Sequence, residues 1–203
     1  MKPRYATVGI VGAGAMGQVI AQIAAQAGSL VRLFDVHADA TGKAGNALAA
    51  QWDKLVDKGR LDRLLAVGHK ARLRPAATLE DLADCALVIE AVVERLDVKK
   101  SLFFHWRVLF RRKPCWPAIT SSLSITAIGA GLKHPGRVAG YHFFNPVPLM
   151  KVVEVIAGLK TDATTCIGLT EYARQMGHTP VQAMDTPSFI VNHAGRAAAA
   201  PSV

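Results

Sequence analysis

The sequence predicts an α/β fold in which a mostly parallel β-sheet is covered by helices on both faces. Short, continuously apolar runs such as Thr7–Val11 and Leu30–Phe34 alternate with stretches of helical spacing. Strands buried on both faces carry such apolar runs, and their alternation with helices is typical of parallel sheets. The first run ends in a glycine-rich turn that leads directly into a helical pattern. These three observations predict a doubly wound, Rossmann-type domain.

The glycine-rich turn contains Gly12, Gly14 and Gly17 in the spacing G-x-G-x-x-G. Gly12 permits the tight turn, Gly14 lets a pyrophosphate approach the backbone, and Gly17 lets the helix pack closely on the strand. The first helical residues, Ala15 and Met16, offer free N–H groups and the positive end of the helix dipole to the phosphates. The turn therefore predicts a dinucleotide site, and the alternative is an ordinary turn with chance glycines.

The second strand, Leu30–Phe34, ends at Asp35. An acid about 20 residues beyond the glycines suits the ribose hydroxyls of NAD. It would repel the 2′-phosphate of NADP, and residues 36–38 supply no arginine to offset the repulsion. The predicted cofactor is therefore NAD.

The remaining elements continue the alternation of strands and helices. Thr78 is placed to cap a helix, with Asp81 in its first turn. The predicted helices cover residues 38–58, a shorter stretch after Gly59, and residues 94–104 and 163–176, with another beginning after Phe189. The predicted strands cover residues 86–89, a stretch before Thr120, residues 138–143 and 152–156, and an edge-like strand at 179–181.

Length and composition set the class of protein. The chain has 203 residues, of which 51% are hydrophobic, enough for one sizeable domain. No apolar run reaches membrane-spanning length, and the N-terminus shows no apolar core of a signal peptide. The three cysteines lie far apart, without histidines at zinc spacing. We expect a reduced, cytoplasmic protein with neither a metal site nor membrane association.

The net charge of +9 favours a polyanionic partner. Most cations are scattered, and the stretch from Arg107 to Lys113, which holds four of them, has no aromatic stacking pattern or groove-reading helix beside it. We therefore favour a nucleotide or a coenzyme A ester over nucleic acid as the partner.

His142 and Glu154 are the candidate catalytic pair. His142 lies at the end of a predicted strand, Glu154 follows on the next strand, and Ser121 and Asn192 are further polar candidates. A carboxylate beside a histidine fixes the tautomer of the ring and stabilises the imidazolium, so the pair can act as a general base. The alternative is a core histidine that bonds to the backbone.

Four segments resemble the 3-hydroxyacyl-CoA dehydrogenases, and the resemblance covers nearly the whole chain. The segments are VVERLDVK at 92–99, TSSLSIT at 120–126, GYHFFNPVPLMKVVEVI at 140–156 and DTPSFIVNH at 185–193. The block HFFNP is far more specific than the glycine motif. The resemblance implies reversible, NAD-dependent oxidation of an L-3-hydroxyacyl-CoA to the 3-ketoacyl-CoA, with acyl chain length and pathway left open.

The resemblance also implies roles for individual residues. His142 takes the proton of the 3-hydroxyl group, and Glu154 orients it. Ser121 and Asn192 bind the reacting part of the substrate and hold the developing charge. The family positions that line the NAD site are Glu94, Lys99, Ser121 and Asn145, and Lys58 stands where the family offers a cation to coenzyme A. A solvated lysine at a helix end is the alternative for Lys58.

The resemblance further implies a second, all-helical domain that closes over the acyl-CoA and forms a homodimer. We expect residues 1–187 to form the NAD-binding domain, residues 188–203 to be the start of the helical domain, and the rest of that domain to be missing. Ser188 replaces a family glycine, and Ile119 replaces a family asparagine. The rival interpretation is therefore a truncated module that binds NAD and turns nothing over.

Residues 104–119 keep the spacing of the family but not its content. Cys115-Trp116-Pro117 must be encoded TGY-TGG-CCN, which specifies Leu and Ala when read two bases later, as in the family. We hypothesise paired, compensating frameshifts in this segment. Sequencing the gene tests the hypothesis, and codons that fit no shifted dehydrogenase reading frame would contradict it. As written, Trp116 is expected to overpack a buried strand, at a cost of about 1–3 kcal/mol.

Overall fold

The structure is a computed structural model that describes residues 2–109 and 115–186, without the side chains of residues 107–109. Its strands are β1 Thr7–Val11, β2 Leu30–Phe34, β3 Leu73–Pro75, β4 Leu87–Glu90, β5 Trp116–Ala118, β6 Val138–Phe143, β7 Val152–Ala157 and β8 Thr179–Met184. Its helices are α1 Ala15–Gln26, α2 Ala40–Asp57, α3 Arg63–Arg72, α4 Leu96–Leu109, α5 Ile125–Gly129 and α6 Ala163–Gln175, with 3₁₀ turns at Leu79–Leu82 and Pro135–Arg137.

The strands of the described residues form one eight-stranded sheet in the order β3-β2-β1-β4-β5-β6-β7-β8. All neighbouring strands are parallel except β6 and β7, which are antiparallel. From β1 the chain builds to β2 and β3 on one side and then crosses to β4 on the other. Such a switch point opens a crevice at the carboxyl ends of the strands. The predicted doubly wound, mostly parallel sheet is confirmed.

Helices cover both faces of this sheet around two buried apolar clusters. One cluster joins β1 and β2 to α1, α2 and α6, and it contains Ile20, Leu48 and Tyr172. The other joins β4 and β5 to α4 and α5, and it contains Phe103 and Ile128. The central strands are thus buried on both faces, which explains their continuous apolar runs.

The observed elements differ from the predicted ones at the two edges of the sheet and at the short helix α5, which was not predicted. β3 was not predicted, because Leu73–Pro75 contains an arginine and a proline and carries no strand pattern. A proline is tolerated there because an edge strand leaves N–H positions unpaired. At the other edge, β8 extends to Met184, beyond the predicted residues 179–181. The predicted cap at Thr78 is confirmed as a reciprocal capping box with Asp81.

Trp116 finds room in the sheet, where overpacking was expected. Its side chain is 1% exposed, and its ring centroid lies 6.3 Å from that of Phe103 and 6.1 Å from that of Trp106. Both neighbours lie on α4, so this helix supplies the aromatic partners of Trp116. Aromatic pairs at such distances contribute about 0.5–1.5 kcal/mol beyond area burial. The basic residues 111–113 lie outside the described residues.

Asp185 fastens the end of β8 to the beginning of α5. Its Oδ2 accepts hydrogen bonds from Ser124 Oγ and Thr126 N, each at 2.8 Å, and its Oδ1 accepts one from Ile125 N at 3.0 Å. Burial works to raise the pKa of Asp185, but the hydrogen bonds from Thr126, Ser124 and Ile125 together hold that pKa below its ordinary value.

This depressed pKa predicts a loss of stability in acid. The folded protein binds the Asp185 proton more weakly than the unfolded chain does. The contribution of Asp185 is therefore present above the ordinary pKa of about 3.9 and is lost as the pH falls through the lower folded value. We expect Asp185→Asn to lower the Tm at neutral pH and to reduce its fall below about pH 4. Thermal melts of Asp185→Asn and the natural chain across this pH range measure the effect, and Asp57→Asn, which removes an exposed carboxylate, is the control. Identical dependence of the Tm on pH in Asp185→Asn and the natural chain would contradict the prediction.

Candidate active site

A cleft of about 540 Å³ opens at the carboxyl ends of β1, β4, β5 and β6. This is the edge of the sheet where the switch point between β1 and β4 predicts a ligand. The lining residues come from four segments at the ends of these strands and are Gly14, Ala15, Met16, Ala91, Val92, Val93, Glu94, Ile119, Thr120, Ser121, His142, Phe143, Phe144 and Asn145. Half of the site residues predicted from the sequence therefore line one cavity.

The glycine turn forms one wall of this cleft, and Gly12 and Gly17 are each required for a steric reason, whereas Gly14 is not. Gly12 has a φ of +106°, and an added Cβ would lie 2.4 Å from the Ala91 carbonyl oxygen. A Cβ on Gly17 would lie 1.8 Å from the Gly12 carbonyl oxygen. A Cβ added to Gly14, the N-cap of α1, would meet no atom within 4 Å. The space in front of Gly14 is therefore open to a ligand.

The beginning of α1 supplies polar groups to this wall, and Asp35, which is not among the lining residues of the cleft, is bonded to the glycine turn at Ala13. The first turn of a helix leaves its N–H groups without intrahelical partners, and at α1 these belong to Ala15, Met16 and Gly17. Asp35 Oδ2 accepts a hydrogen bond from Ala13 N at 2.7 Å, and Oδ1 accepts one from His37 N at 2.9 Å. Each oxygen keeps a further acceptor site. A diphosphate at the helix and a ribose hydroxyl at Asp35 fit these groups.

His142 lies on the opposite side of the cleft, bonded to Glu154. Antiparallel pairing of β6 and β7 places the two residues directly opposite each other. The distance from His142 Nδ1 to Glu154 Oε2 is 2.8 Å. His142 is 8% exposed and lines the cleft, whereas Glu154 is fully buried. The structure thus meets the expected geometry, in which the carboxylate binds one ring nitrogen and the ring faces the cleft.

The aromatic ring of Phe144 packs beside the same imidazole. The two ring centroids are 4.5 Å apart and the planes are tilted by 56°. Phe144 also lines the cleft, so it restricts the position of the His142 ring from the cleft side. The sequence placed Phe144 inside the HFFNP block, but no role was predicted for it, because its contact with the imidazole depends on the path of the chain after β6.

Ser121 and Glu94 form the wall between the glycine turn and His142. Glu94 Oε1 accepts hydrogen bonds from Ser121 N at 2.9 Å and from Thr120 Oγ1 at 2.5 Å. Thr120 Oγ1 in turn accepts one from Leu123 N at 2.8 Å. Glu94 therefore fixes the backbone that follows β5, and Ser121 lies on the cleft surface beside it.

Lys99 is not among the residues that line the cleft, and its proposed role toward the cofactor stays a prediction. Its side chain is fully buried, and Nζ lies 2.7 Å from both carboxylate oxygens of Glu90. Nζ also donates to the Ile119 carbonyl oxygen at 2.8 Å and lies 3.5 Å from Glu94 Oε2. The physical reason is that Leu96–Leu109 places Lys99 one turn into α4, where its side chain reaches back beneath the floor of the cleft.

The remaining predicted site residues are placed as follows. Asn145 is exposed and lines the cleft. Lys58 is exposed, forms the C-cap of α2 and is not among the lining residues of this cleft. Asn192 lies outside the described residues, so the proposed roles of Lys58 and Asn192 toward a substrate stay predictions.

The described part of the chain also bears on metal binding and on membrane association. Residues 2–109 and 115–186 contain no group of three or more His, Cys, Asp or Glu side chains that could hold a metal ion. Within the same residues, every helix is too short or too polar to cross a membrane.

Known proteins share both the sequence and this architecture. The family model described as 3-hydroxyacyl-CoA dehydrogenase, NAD binding domain, matches residues 7–186. The chain is 43% identical over 190 residues to 3-hydroxyadipyl-CoA dehydrogenase of Escherichia coli (strain K12), which covers 94% of this chain and 40% of that protein. It is 38% identical over 185 residues to 3-hydroxybutyryl-CoA dehydrogenase of Bradyrhizobium diazoefficiens, with coverages of 91% and 63%.

The fold agrees with that of solved relatives. The crystal structure of 3-hydroxybutyryl-CoA dehydrogenase from Escherichia coli K12 superposes with a TM-score of 0.92 at 42% identity, covering 95% of this chain and 41% of that one. The corresponding enzyme PaaH1 from Ralstonia eutropha gives a TM-score of 0.89 at 35% identity, with coverages of 93% and 67%. The chain spans 40% and 63% of the lengths of the two curated relatives.

Proposed function

Because the chain belongs to the 3-hydroxyacyl-CoA dehydrogenase family, whose NAD-binding domain it carries, we propose that it oxidises an L-3-hydroxyacyl-CoA to the 3-ketoacyl-CoA, reversibly. The observation that supports this proposal most directly is the His142–Glu154 pair at 2.8 Å, which opens onto the same cleft as the glycine turn and Ser121. A general base and a dinucleotide site in one cavity are what the oxidation of an alcohol requires.

The glycine turn and Asp35 hold the cofactor in this proposal. The N–H groups of Ala15 and Met16 and the positive end of α1 bind the diphosphate, which reaches them because Gly14 leaves the approach open. Asp35 accepts hydrogen bonds from the ribose hydroxyls. Bound NAD supplies the hydride acceptor.

His142 moves the proton. Its Nδ1–H donates to Glu154, which leaves Nε2 as the unprotonated nitrogen that accepts the proton of the substrate 3-hydroxyl. Glu154 then stabilises the imidazolium, because its buried carboxylate keeps the hydrogen bond on Nδ1. Phe144 holds the ring in place. In the reverse direction, the same Nε2–H returns the proton to the carbonyl oxygen.

Ser121 binds the oxygen on which charge develops. Its hydroxyl lies on the cleft surface, and its N–H is held by Glu94 at 2.9 Å. A donor that is fixed before the substrate arrives needs no reorganisation during the reaction. The proposal also includes the acyl-CoA as the substrate and Asn192 as a residue that helps to bind it.

Two measurements on the purified chain test this function. Titration with NADH, followed by nicotinamide fluorescence, measures cofactor binding, and turnover of acetoacetyl-CoA with NADH measures the reaction. A folded protein that binds no NADH would refute the proposal. A protein that binds NADH but does not turn over acetoacetyl-CoA would instead support the rival interpretation, a truncated module that binds NAD without catalytic activity.

Asp35→Asn tests the ribose contact. We expect the Kd for NADH to rise about tenfold, because a charge-assisted hydrogen bond contributes about 1.5–3 kcal/mol. The asparagine amide replaces one of the two acceptor oxygens that hold Ala13 N and His37 N, so the Tm is measured alongside. Asp39→Asn, four residues further on and exposed, is the matched control. Equal affinities of both variants would contradict the assignment.

A further inference from the structure

A buried ion pair lies directly behind the cleft, and the reaction as described does not use it. Glu90, the last residue of β4, is fully buried, as is Lys99 on α4. Both Glu90 oxygens lie 2.7 Å from Lys99 Nζ, and Oε1 also accepts a hydrogen bond from Val92 N at 2.7 Å. Glu90 thus holds the ammonium group and the first turn of the chain after β4 at the same time.

This pair is connected to the cleft wall by two further contacts of the ammonium. Lys99 Nζ donates to the Ile119 carbonyl oxygen at 2.8 Å, at the end of β5, and lies 3.5 Å from Glu94 Oε2. The other oxygen of Glu94 holds Ser121 N. An ammonium group has three protons, and its three hydrogen bonds go to the two Glu90 oxygens and to the Ile119 carbonyl oxygen, while Glu94 Oε2 makes an ion pair with it at 3.5 Å. The contacts run without a gap from Glu90 to Ser121.

Stability alone does not explain a charged pair at this position. The removal of two charges from water costs several kcal/mol for each ion, and apolar replacements of buried ion pairs are often neutral or stabilising. Burial raises the pKa of Glu90 to about 7, against the opposing effects of Lys99 and of the Val92 N–H. A charged pair fixes the orientation of the ammonium group through hydrogen bonds, which an apolar pair cannot do.

We propose that Glu90 is a positioning residue of the proposed dehydrogenase site, which acts through Lys99 to hold Ile119, Glu94 and Ser121 in the geometry that binds the cofactor. The inference rests on the proposed function, since it concerns the affinity of that site for NADH. Neither Glu90 nor Lys99 touches the cleft surface. Their effect therefore passes through Glu94 and the backbone after β5.

Three variants separate positioning from folding. Glu90→Gln keeps the shape and removes the charge. The double variant Glu90→Leu/Lys99→Met replaces the pair by apolar side chains, and Asp97→Asn removes an exposed carboxylate that pairs with Arg95 at the start of α4. NADH affinity is measured by fluorescence, and the Tm by thermal unfolding. We expect the Kd to rise about tenfold in both variants of the pair and to change less than about twofold in Asp97→Asn.

The double variant keeps the experiment decisive if Glu90→Gln fails to fold. It is expected to melt at or above the temperature of the natural chain and still to bind NADH more weakly. A double variant that binds NADH as the natural chain does would overturn the inference and leave the proposed function intact. Failure of the natural chain to bind NADH would overturn both.

The pH dependence of binding gives a second readout that a purely structural role would not change. The charged groups facing Glu90 are Lys99 from α4 and Glu94 from the loop before it, while the described residues of β1, β5 and α1 present none. As Glu90 takes up a proton below about pH 7, the Kd of the natural chain should rise. This rise should be smaller in Glu90→Gln, because glutamine has no carboxylate to take up a proton in this range, and identical profiles would contradict the inference.

Discussion

Replacement of His142 by Asn is expected to reduce the turnover of acetoacetyl-CoA with NADH by about 10²–10⁴-fold, the usual contribution of a general acid or base. Asparagine keeps an N–H that can donate to Glu154, but it has no basic nitrogen to exchange a proton with the substrate. The proposed cofactor contacts lie elsewhere, at Gly14 on the cleft wall after β1 and at Asp35 after β2. We therefore expect the Kd for NADH to change by less than about twofold.

The control for this prediction is His105→Asn, which removes an exposed histidine on α4. Its turnover and its NADH affinity should both match the natural chain. If His142→Asn retained turnover, the proton would have to move through another group, and the assignment of His142 as the base would be wrong. If His142→Asn lost NADH binding and turnover together, the histidine would serve the cofactor site rather than the proton transfer.

Glu154 lies behind His142, fully buried and bonded to its Nδ1. Its position in the chain explains why the pair could be predicted from the sequence. The separation of twelve positions between His142 and Glu154 suffices for two antiparallel strands and a connection, so the two side chains come to lie opposite each other on one face. The glycine turn could be predicted for the same reason, because strand, turn and helix follow one another directly in the chain.

Other features depend on contacts between distant elements and could not be predicted. Lys99 was placed on the cofactor surface by resemblance alone, whereas its burial follows from the packing of α4 against β4 and β5. Glu90 looked only like the end of a buried strand, since nothing in the local sequence shows that a lysine nine residues away lies 2.7 Å from it. Trp116 looked too large for a sheet core until Phe103 and Trp106 were seen beside it.

Two of the three glycines of the turn, Gly14 and Gly17, allow a paired prediction in which one methyl group affects folding and another affects binding. In Gly17→Ala, the new Cβ would lie 1.8 Å from the Gly12 carbonyl oxygen. Both atoms belong to the close contact of α1 with the end of β1, so helix and strand must separate. Overpacking on this scale costs about 3 kcal/mol, which corresponds to a fall in Tm of about 6–12 °C for a domain of this size.

In Gly14→Ala, the same methyl group meets no atom within 4 Å. The backbone at Gly14, with φ −68° and ψ −173°, is one that alanine adopts readily. We expect the Tm to stay within a few degrees of the natural chain, because the substitution costs less than about 1 kcal/mol. The Kd for NADH should rise at least about tenfold, because the methyl group occupies the approach of the diphosphate to the N–H groups of α1. Thermal melts and NADH titrations of both variants measure the contrast, and undiminished NADH affinity in Gly14→Ala would show that the diphosphate does not bind at this turn.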